Sequence, residues 1–277
     1  MGAQETLATL QGVGFRYPGH TDDLLRNMTL KVRSGEIMML SGPNGSGKTT
    51  IVGLLSGRLV PRVGQVRVFG KDPSRAMRAP DLGLITEPFH PTQSPLPVDF
   101  TVREILTWLE VLDGVSSDDA GPLLDQLDLG PSLTGRRVCT LSKGERQRVV
   151  LLAVLLRRPR LILADEPFEG LDRATRRLIG ECLHRYAQEG GRSIIWVSHH
   201  LSETVQYADR VIEIERHRMV ERPTDRFAFR VFTSNGRSED EWACSLAALP
   251  AVVAKHLDGD ETVRLEVTEK RDGGKRP

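Results

Sequence analysis

The chain has 277 residues, of which 39% are hydrophobic and 27% are charged, and its 38 Lys and Arg nearly balance its 37 Asp and Glu. This composition is that of a globular protein and excludes a disordered, collagen-like or mini-protein class. The formal net charge of +1 argues against a strongly basic nucleic-acid binder, although it allows a local basic patch. The length allows one large domain or two smaller ones.

Cysteine usage and hydropathy indicate a cytosolic chain. Cys139, Cys182 and Cys244 lie far apart, without a CxxC pair or nearby histidines, which predicts free thiols in a reducing compartment. The N-terminus lacks a basic segment followed by an apolar one, so we expect no signal peptide. The longest apolar run, residues 149–156, is too short to cross a bilayer, which takes ~20 residues. A role at a membrane would therefore need a partner.

The first part of the chain predicts two strands and then a strand, a loop and a helix. Residues 7–15 and 24–32 alternate in hydropathy around a turn at 17–20. An apolar strand at 36–41 precedes a glycine-rich stretch and a helix that ends near Gly57. Strand, glycine-rich loop and helix in this order form one unit of a parallel α/β sheet.

The middle of the chain predicts further strands and two capped helices. Short buried strands are expected at 82–86, 161–164 and 193–197, the first of them followed by a proline-rich connection. Thr101 with Glu104, and Ser142 with Glu145, form capping boxes that open helices; the second helix runs through Leu156.

The composition changes near Pro223. Apolar residues alternate at 227–231 and again at 263–267, and a helix is expected between them, around residues 239–249. This pattern predicts a small α+β appendage followed by a charged, disordered tail.

The strongest motif matches GxxxxGK[ST] in full and lies between a strand and a helix, as a phosphate-binding loop does. Its residues are Gly42, Pro43, Asn44, Gly45, Ser46, Gly47, Lys48 and Thr49, with Thr50 following. The glycines let backbone N–H groups turn toward a polyphosphate, and the helix N-terminus adds partial positive charge. Lys48 supplies a cation for the β- and γ-phosphates and Thr49 a hydroxyl for Mg²⁺.

A pair of adjacent carboxylates, Asp165 and Glu166, ends the apolar strand at 161–164. Two acids at such a position are costly unless they are used. Asp165 can reach Mg²⁺ at the loop, and Glu166 can orient an attacking water or take its proton, which contributes ~10²–10⁴-fold to a rate.

About 20 residues before the acidic strand, Leu141-Ser142-Lys143-Gly144-Glu145-Arg146-Gln147 resembles the LSGGQ-type signature of ATP-binding cassette (ABC) ATPases. In that family, Ser142 and Gly144 would bind the γ-phosphate of an ATP held by a second cassette. This chain departs from the commonest signature at Lys143, which could add phosphate attraction, and at Glu145.

The resemblance assigns roles to further residues. Tyr17 matches the aromatic that stacks on adenine, Asp172 in Phe168-Glu169-Gly170-Leu171-Asp172 matches the D-loop, and His199 matches the switch histidine at the γ-phosphate. The family usually has Gln after the strand at 82–86, where it touches Mg²⁺. Here Glu87 fills that position, and Gln93 is the alternative.

The resemblance implies a P-loop NTPase core with an antiparallel β subdomain and a helical subdomain at about 88–158. We expect residues 1–222 to form the ATPase domain and 223–277 an accessory region. ATP and Mg²⁺ are the expected cofactors, with Lys48, Glu166 and His199 as catalytic residues and Thr49, Glu87 and Asp165 as metal ligands. The expected partners are a membrane permease, on whose cytoplasmic face the chain would sit, and a second cassette. No nucleic acid is expected.

Exporter-type cassettes carry the most similar signature and appendage, so the resemblance implies export. Two alternatives compete. One is an ABC protein that acts on nucleic acid or ribosomes. Such family members carry two cassettes or a long coiled coil between the two nucleotide motifs, whereas this chain has one cassette and no coiled coil between Lys48 and Asp165. The other is a regulatory protein with a degenerate site, against which the motif residues are all present except at Glu87.

Overall fold

The computed structural model describes residues 4–76, 80–86, 96–116, 119–198, 205–215 and 217–222, with the backbone of three strands within 227–269. Twelve strands are described: β1 (Thr6–Phe15), β2 (Leu25–Arg33), β3 (Ile37–Ser41), β4 (Val63–Val68), β5 (Leu82–Ile85), β6 (Leu161–Asp165), β7 (Ser193–Val197), β8 (Arg210–Glu215), β9 (Arg218–Arg222), β10 (Phe227–Phe232), β11 (Ser238–Ala243) and β12 (Arg264–Glu269). The described α-helices are α1 (Lys48–Leu55), α2 (Pro73–Ala76), α3 (Val102–Asp113), α4 (Ala120–Gln126), α5 (Pro131–Thr134), α6 (Lys143–Leu156) and α7 (Arg173–Gln188).

Two sheets carry the residues up to Arg222. The larger has the order β5-β6-β7-β3-β8-β9, and its strands are parallel except for β9. The smaller is antiparallel with the order β2-β1-β4. The predicted turn between β1 and β2 is confirmed, since the backbone N–H of His20 donates to the carbonyl of Tyr17 at 3.2 Å.

The larger sheet is covered on both faces, which explains its uninterrupted apolar strands. Along β3, Met38 and Leu40 pack into a cluster with the antiparallel sheet and α1. Ile37 and Met39 point the other way, into a cluster with α3, α6 and α7. The expected α/β class, with an antiparallel β layer and a helical layer, is confirmed.

The two predicted capping boxes are present. Thr101 Oγ1 accepts from the N–H of Glu104 at 3.2 Å, and the Glu104 carboxylate accepts from the N–H of Thr101 at 2.7 Å, at the start of α3. The same reciprocal pair joins Ser142 and Glu145 at the start of α6. Each cap contributes ~1 kcal/mol to helix stability.

The expected helix around residues 239–249 is wrong for residues 239–243, which lie in strand β11. This strand and β12 flank β10 in an antiparallel sheet of their own. Arg230 in β10 stands in register with Asp240 on one side and Glu266 on the other. Strand partners distant in the chain thus override the local preference from which the helix was predicted. Residues 244–249 lie outside the described part.

The carboxyl ends of β3, β5, β6 and β7 meet at one edge of the larger sheet, where ligands bind in open α/β sheets. This edge carries the end of β3 at Ser41, the end of β6 at Asp165 and the end of β7 at Val197. Among the described residues, no helix has the length and apolar character needed to cross a membrane.

Candidate nucleotide site

The loop between β3 and α1 is shaped by glycines that no other residue could replace without strain. Gly42, Gly45 and Gly47 have φ values of 137°, 79° and 104°. A Cβ on Gly42 would lie 2.6 Å from the carbonyl oxygen of Ile214, and one on Gly47 would lie 2.5 Å from Leu25 Cδ2. The loop therefore fits between β8 and β2 only as a glycine-rich chain.

Cationic and N–H groups converge inside this loop. Lys48 is 6% exposed, and its Nζ donates to the carbonyl oxygens of Gly42 at 2.9 Å and Pro43 at 3.0 Å. Helix α1 begins with no side-chain cap at Gly47 and no acid in its first turn. Its first N–H groups and its dipole therefore suit an anion.

Ser46 Oγ supports the same interpretation. It is buried, with no hydrogen-bond partner in the described part of the chain. A buried hydroxyl of this kind calls for a partner, and a phosphate oxygen in the loop would provide one. The loop thus fits a polyphosphate, as the motif predicts.

The acidic strand meets the loop at Thr49. Thr49 Oγ1 donates to Asp165 Oδ1 at 3.1 Å, so the start of α1 and the end of β6 are in direct contact. A hydroxyl and a carboxylate oxygen at this spacing are the hard oxygen donors that Mg²⁺ prefers, usually together with substrate phosphates. The residues present therefore fit a magnesium ion shared with a nucleotide.

Glu166 leaves the strand in a strained conformation. Its φ is 49°, in the left-handed region that costs a non-glycine residue energy. Its N–H still donates to the carbonyl of Val197 at 3.1 Å, which ties the turn to the end of β7. Strain of this kind concentrates at functional sites, and here it reorients a half-buried carboxylate directly after the strand.

Tyr17 lies in the turn between β1 and β2, close to the start of α1. Its hydroxyl is 3.1 Å from Thr50 Oγ1 on α1, and its ring packs edge-on against Phe15 with centroids 4.9 Å apart. Tyr17 is 39% exposed, and the His20 ring lies 6.4 Å from its ring at a tilt of 59°, so an aromatic surface is available beside the loop.

The signature residues lie at the start of α6. Ser142 Oγ accepts from the N–H of Glu145 at 3.2 Å, and the Ser142 hydroxyl also bonds to the Glu145 carboxylate. The Glu145 carboxylate accepts from the N–H of Ser142 at 2.6 Å, and this bond holds the pKa of Glu145 below its ordinary value. Arg136 adds an ion pair to Glu145 at 3.2 Å.

Asp172 is the N-cap of α7. Its carboxylate accepts from the N–H of Thr175 at 2.9 Å and from the Thr175 hydroxyl at 2.7 Å. Both bonds lower the pKa of Asp172, and the bond from the backbone N–H has the larger effect. Gly144 of the signature lies beside this cap, because a Cβ there would meet Thr175 at 3.4 Å.

Three residues assigned by resemblance, Glu87, its alternative Gln93 and His199, lie outside the described residues. The described strands lead to them, since β5 ends at Ile85 and β7 ends at Val197. Their contacts to the loop stay predictions.

Sequence reasoning missed the residues that support this site from behind. Trp196, on β7, is fully buried and packs edge-on against Phe168, with centroids 5.6 Å apart. Gln147, 1% exposed, donates from Nε2 to the carbonyl of Pro167 at 3.2 Å. Both contacts hold the segment that follows Glu166. The sequence feature that could have revealed Trp196 is a large aromatic residue in a strand that is otherwise mostly aliphatic.

The site combines a loop that fits a polyphosphate with an acidic strand end, at the carboxyl edge of a mostly parallel sheet. This combination defines a P-loop nucleotide hydrolase. The profile of the ABC transporter family matches residues 25–169, which is more than half of the chain. The chain therefore belongs to the ABC transporter family, as an ATP-binding and ATP-hydrolysing subunit.

Individual relatives agree with this assignment. The zinc import ATP-binding protein ZnuC of Pseudomonas aeruginosa is 34% identical over 218 residues, covering 76% of this chain and 72% of that protein. The protein named "Probable multidrug ABC transporter ATP-binding protein YbhF", of Escherichia coli K12, is 33% identical over 74% of this chain, which spans 35% of that protein. The taurine import ATP-binding protein TauB of Pseudomonas syringae is 32% identical over 74% of this chain.

Solved structures share the fold. An ATP binding subunit of an ABC transporter superposes with a TM-score of 0.68 at 25% identity, covering 78% of this chain and 89% of that one. The dimeric post-hydrolysis state of the cassette MJ0796, bound to ADP and Pi, superposes with a TM-score of 0.66 at 23% identity, over 78% and 97% of the two chains.

Proposed function

We propose that this chain binds MgATP at the loop of residues 42–49 and hydrolyses it to drive a separate membrane permease. The observation that carries the proposal is the 3.1 Å bond between Thr49 and Asp165, which joins the phosphate loop to the acidic strand beside the buried Lys48. A chance glycine-rich turn would give no reason for a strand-end carboxylate to meet the helix start.

The proposed nucleotide contacts follow the geometry. Backbone N–H groups of residues 42 and 44–50 and the Lys48 ammonium bind the phosphates, and Tyr17 stacks on adenine. Thr49 and Asp165 would hold Mg²⁺, together with Glu87 on the strength of the family resemblance. When bound, the ion neutralises charge on the phosphate oxygens.

In the proposed hydrolysis, Glu166 is the base. The oxygen of a water bonds to the γ-phosphorus while the bond to the bridging oxygen breaks, and ADP leaves with that electron pair. Glu166 receives the water proton, and His199 contacts the γ-phosphate. The left-handed φ of 49° at Glu166 supports this role, because backbone strain of this kind concentrates at functional sites.

The proposed active form has two cassettes. Ser142 and Gly144 would bind the γ-phosphate held by the other cassette, and Asp172 would lie at the seam between them. In support, Ser142 and Asp172 are both exposed at helix starts, where an anion or an opposing loop can approach. The second cassette is either another copy of this chain or a related one.

Substitution of Glu166 tests the catalytic assignment. Glu166→Gln keeps the shape but removes the base, so we expect turnover to fall at least ~100-fold while ATP stays bound in a dimer. Radiolabelled ATP and gel filtration measure both quantities on the full chain. Glu181→Gln, an exposed acid of α7, is the matched control. Hydrolysis by Glu166→Gln at the wild-type rate would contradict the assignment of the base.

The proposed permease contact lies beside β5. A groove of about 330 Å³ opens between β5, α3 and α6 and is lined in part by Leu84, Leu96 and Trp108. Val111 and Leu112 at the end of α3 are 76% and 60% exposed, which is unusual for large apolar side chains. A permease on this surface would hold the chain at the cytoplasmic face of the membrane.

We propose that the direction is export, on the strength of the LSKGE signature and the relative YbhF, whose name describes a multidrug transporter. The relatives ZnuC and TauB are named for import. Copurification of the permease in mild detergent, followed by reconstitution with the cassettes facing outward, separates the two directions. ATP-driven uptake of a lipophilic dye into the vesicles would support export. Release of preloaded zinc or taurine would overturn it.

We further propose that residues 1–222 are the ATPase domain, with the helical subdomain at about 88–158, and that 223–277 form an accessory region. We propose no nucleic-acid partner. In support, the basic stretch at 157–160 is engaged within the chain: Arg157 pairs with Asp113 at 3.2 Å and Arg158 with Asp119 at 3.2 Å. Basic groups paired in this way are poor phosphate contacts.

A further inference from the structure

The side chain of Lys143 lies across Gly170. Gly170 has a φ of 65°, and a Cβ built on it would lie 2.5 Å from Lys143 Nζ, 3.3 Å from Cε and 3.5 Å from Cδ. Three consecutive side-chain atoms therefore lie over Gly170, whose left-handed φ favours glycine. The lysine at the third position of the signature is directed toward its own chain.

This contact belongs to a longer junction between two segments. Gly144 approaches Thr175 closely, and Gln147 donates to the carbonyl of Pro167. Lys143, Gly144 and Gln147 occupy the first two turns of α6 and meet the segment 167–175 along its length. The start of the signature helix and the segment between Glu166 and α7 are thus packed together within one cassette.

We propose that Lys143 is a positioning residue, whose side-chain end from Cδ to Nζ covers Gly170 and, through its packed Cδ and Cε, fixes the 167–172 segment relative to Ser142. The inference rests on the proposed function, because it assigns both segments to the seam between two ATP-bound cassettes. The physical reason is that a glycine in the left-handed region has little to hold its conformation except its neighbours. A side chain packed along it restricts that freedom, so Asp172 and Ser142 reach the seam in a fixed relation.

The stem and the charge of Lys143 can be separated. Lys143→Met keeps an unbranched apolar stem and removes the ammonium, whereas Lys143→Ala removes both and retains a good helix former. If Lys143 acts by packing, Lys143→Met should preserve the ATPase activity and Lys143→Ala should reduce it. Attraction of the ammonium to a phosphate predicts that both variants lose activity equally.

Steady-state ATPase kinetics of the full chain test the inference. For Lys143→Ala we expect kcat to fall roughly three- to tenfold with KM for ATP nearly unchanged, since the cassette's own nucleotide contacts remain. Lys143→Met should retain most of the wild-type kcat. Lys71→Ala, which removes an exposed lysine after β4, is the control. A wild-type kcat in Lys143→Ala, or equal losses in the Ala and Met variants, would overturn the inference.

A double-mutant cycle with Gly170→Ala adds a second readout. Because both substitutions disrupt one contact, Gly170→Ala should cost less in the Lys143→Ala background than in the wild type. Additive losses would show that the two residues act independently and would overturn the inference. Absence of turnover in the wild-type chain would overturn the proposed function and this inference together, whereas normal wild-type turnover with additive losses rejects the inference alone.

Discussion

Tyr17 is the residue that connects the antiparallel sheet to the nucleotide loop. It lies two residues beyond the end of β1, and its hydroxyl is 3.1 Å from Thr50 Oγ1 in the first turn of α1. A ring fixed at one edge by this bond and at the other by Phe15 is pre-oriented for stacking.

Removal of the Tyr17 ring should weaken ATP binding. A base stacked on an aromatic side chain contributes ~1–3 kcal/mol, so Tyr17→Ala should raise the Kd for ATP roughly 5- to 100-fold. Tyr17→Phe keeps the ring and loses only the bond to Thr50, so its Kd should change much less. Isothermal titration with a non-hydrolysable ATP analogue measures both. An unchanged Kd in Tyr17→Ala would show that adenine lies elsewhere.

Residue identity was easier to predict than side-chain direction. Hydropathy reveals the strand that ends at the two acids and the strand before the loop lysine. Capping reveals the helix that Ser142 begins. The contact of Lys143 with Gly170 depends on how α6 packs against a segment more than 20 residues away, and no local pattern carries that information. The same holds for the edge-on contact of Trp196 with Phe168.

At the scale of elements, the capping box of α6 serves two purposes. It satisfies the first N–H groups of the helix and fixes the Ser142 side chain at an exposed helix start. The bond from the Ser142 N–H is the main cause of the lowered pKa of Glu145, and Arg136 acts in the same direction.

This cap predicts a pH dependence of stability. The folded-state pKa of Glu145 is depressed below 4.5, so its contribution is present above that value and is lost as the pH falls through the folded pKa. Glu145→Gln retains an acceptor oxygen but cannot titrate. Its free energy of unfolding should therefore fall less steeply than that of the wild type below about pH 4.5. Urea unfolding at a series of pH values measures the difference, with Glu110→Gln on α3 as control. Parallel pH profiles would contradict the prediction.

The strands of the larger sheet were predictable because both faces are buried, which makes each strand a short apolar run. Strands β8 and β9 were not predicted. Their residues mix apolar and charged positions, and charges pair across the hairpin, as Arg222 does with Glu213 at 2.6 Å. Residues 239–243 of β11 were predicted as part of a helix, because a local pattern does not reveal their pairing with β10.

On the scale of the whole molecule, the two apolar clusters of described buried residues lie within the proposed ATPase domain. Their last buried members are Val211 and Ile214, and the larger sheet ends with β9 at Arg222. The phosphate loop, the acidic strand and the signature helix all lie within this part.

Removal of residues 223–277 should therefore leave ATP binding intact. We expect the truncated chain to fold and to bind ATP with a Kd within about twofold of the full-length value, since its nucleotide contacts are unchanged. Thermal unfolding establishes that the shortened chain is folded, and titration gives the Kd. A folded truncation that no longer binds ATP would place the accessory region within the ATPase core.

The buried position of Trp196 has a practical consequence for spectroscopy. The chain has three tryptophans. Trp196 packs on Phe168, two residues after the proposed base, and stands three residues before the proposed switch histidine. The substitutions Trp108→Phe and Trp242→Phe would leave Trp196 as the sole tryptophan, in a dry environment that shifts its fluorescence to the blue. A change in its emission on mixing with nucleotide would time the rearrangement of the catalytic edge in a stopped-flow instrument, without any attached label.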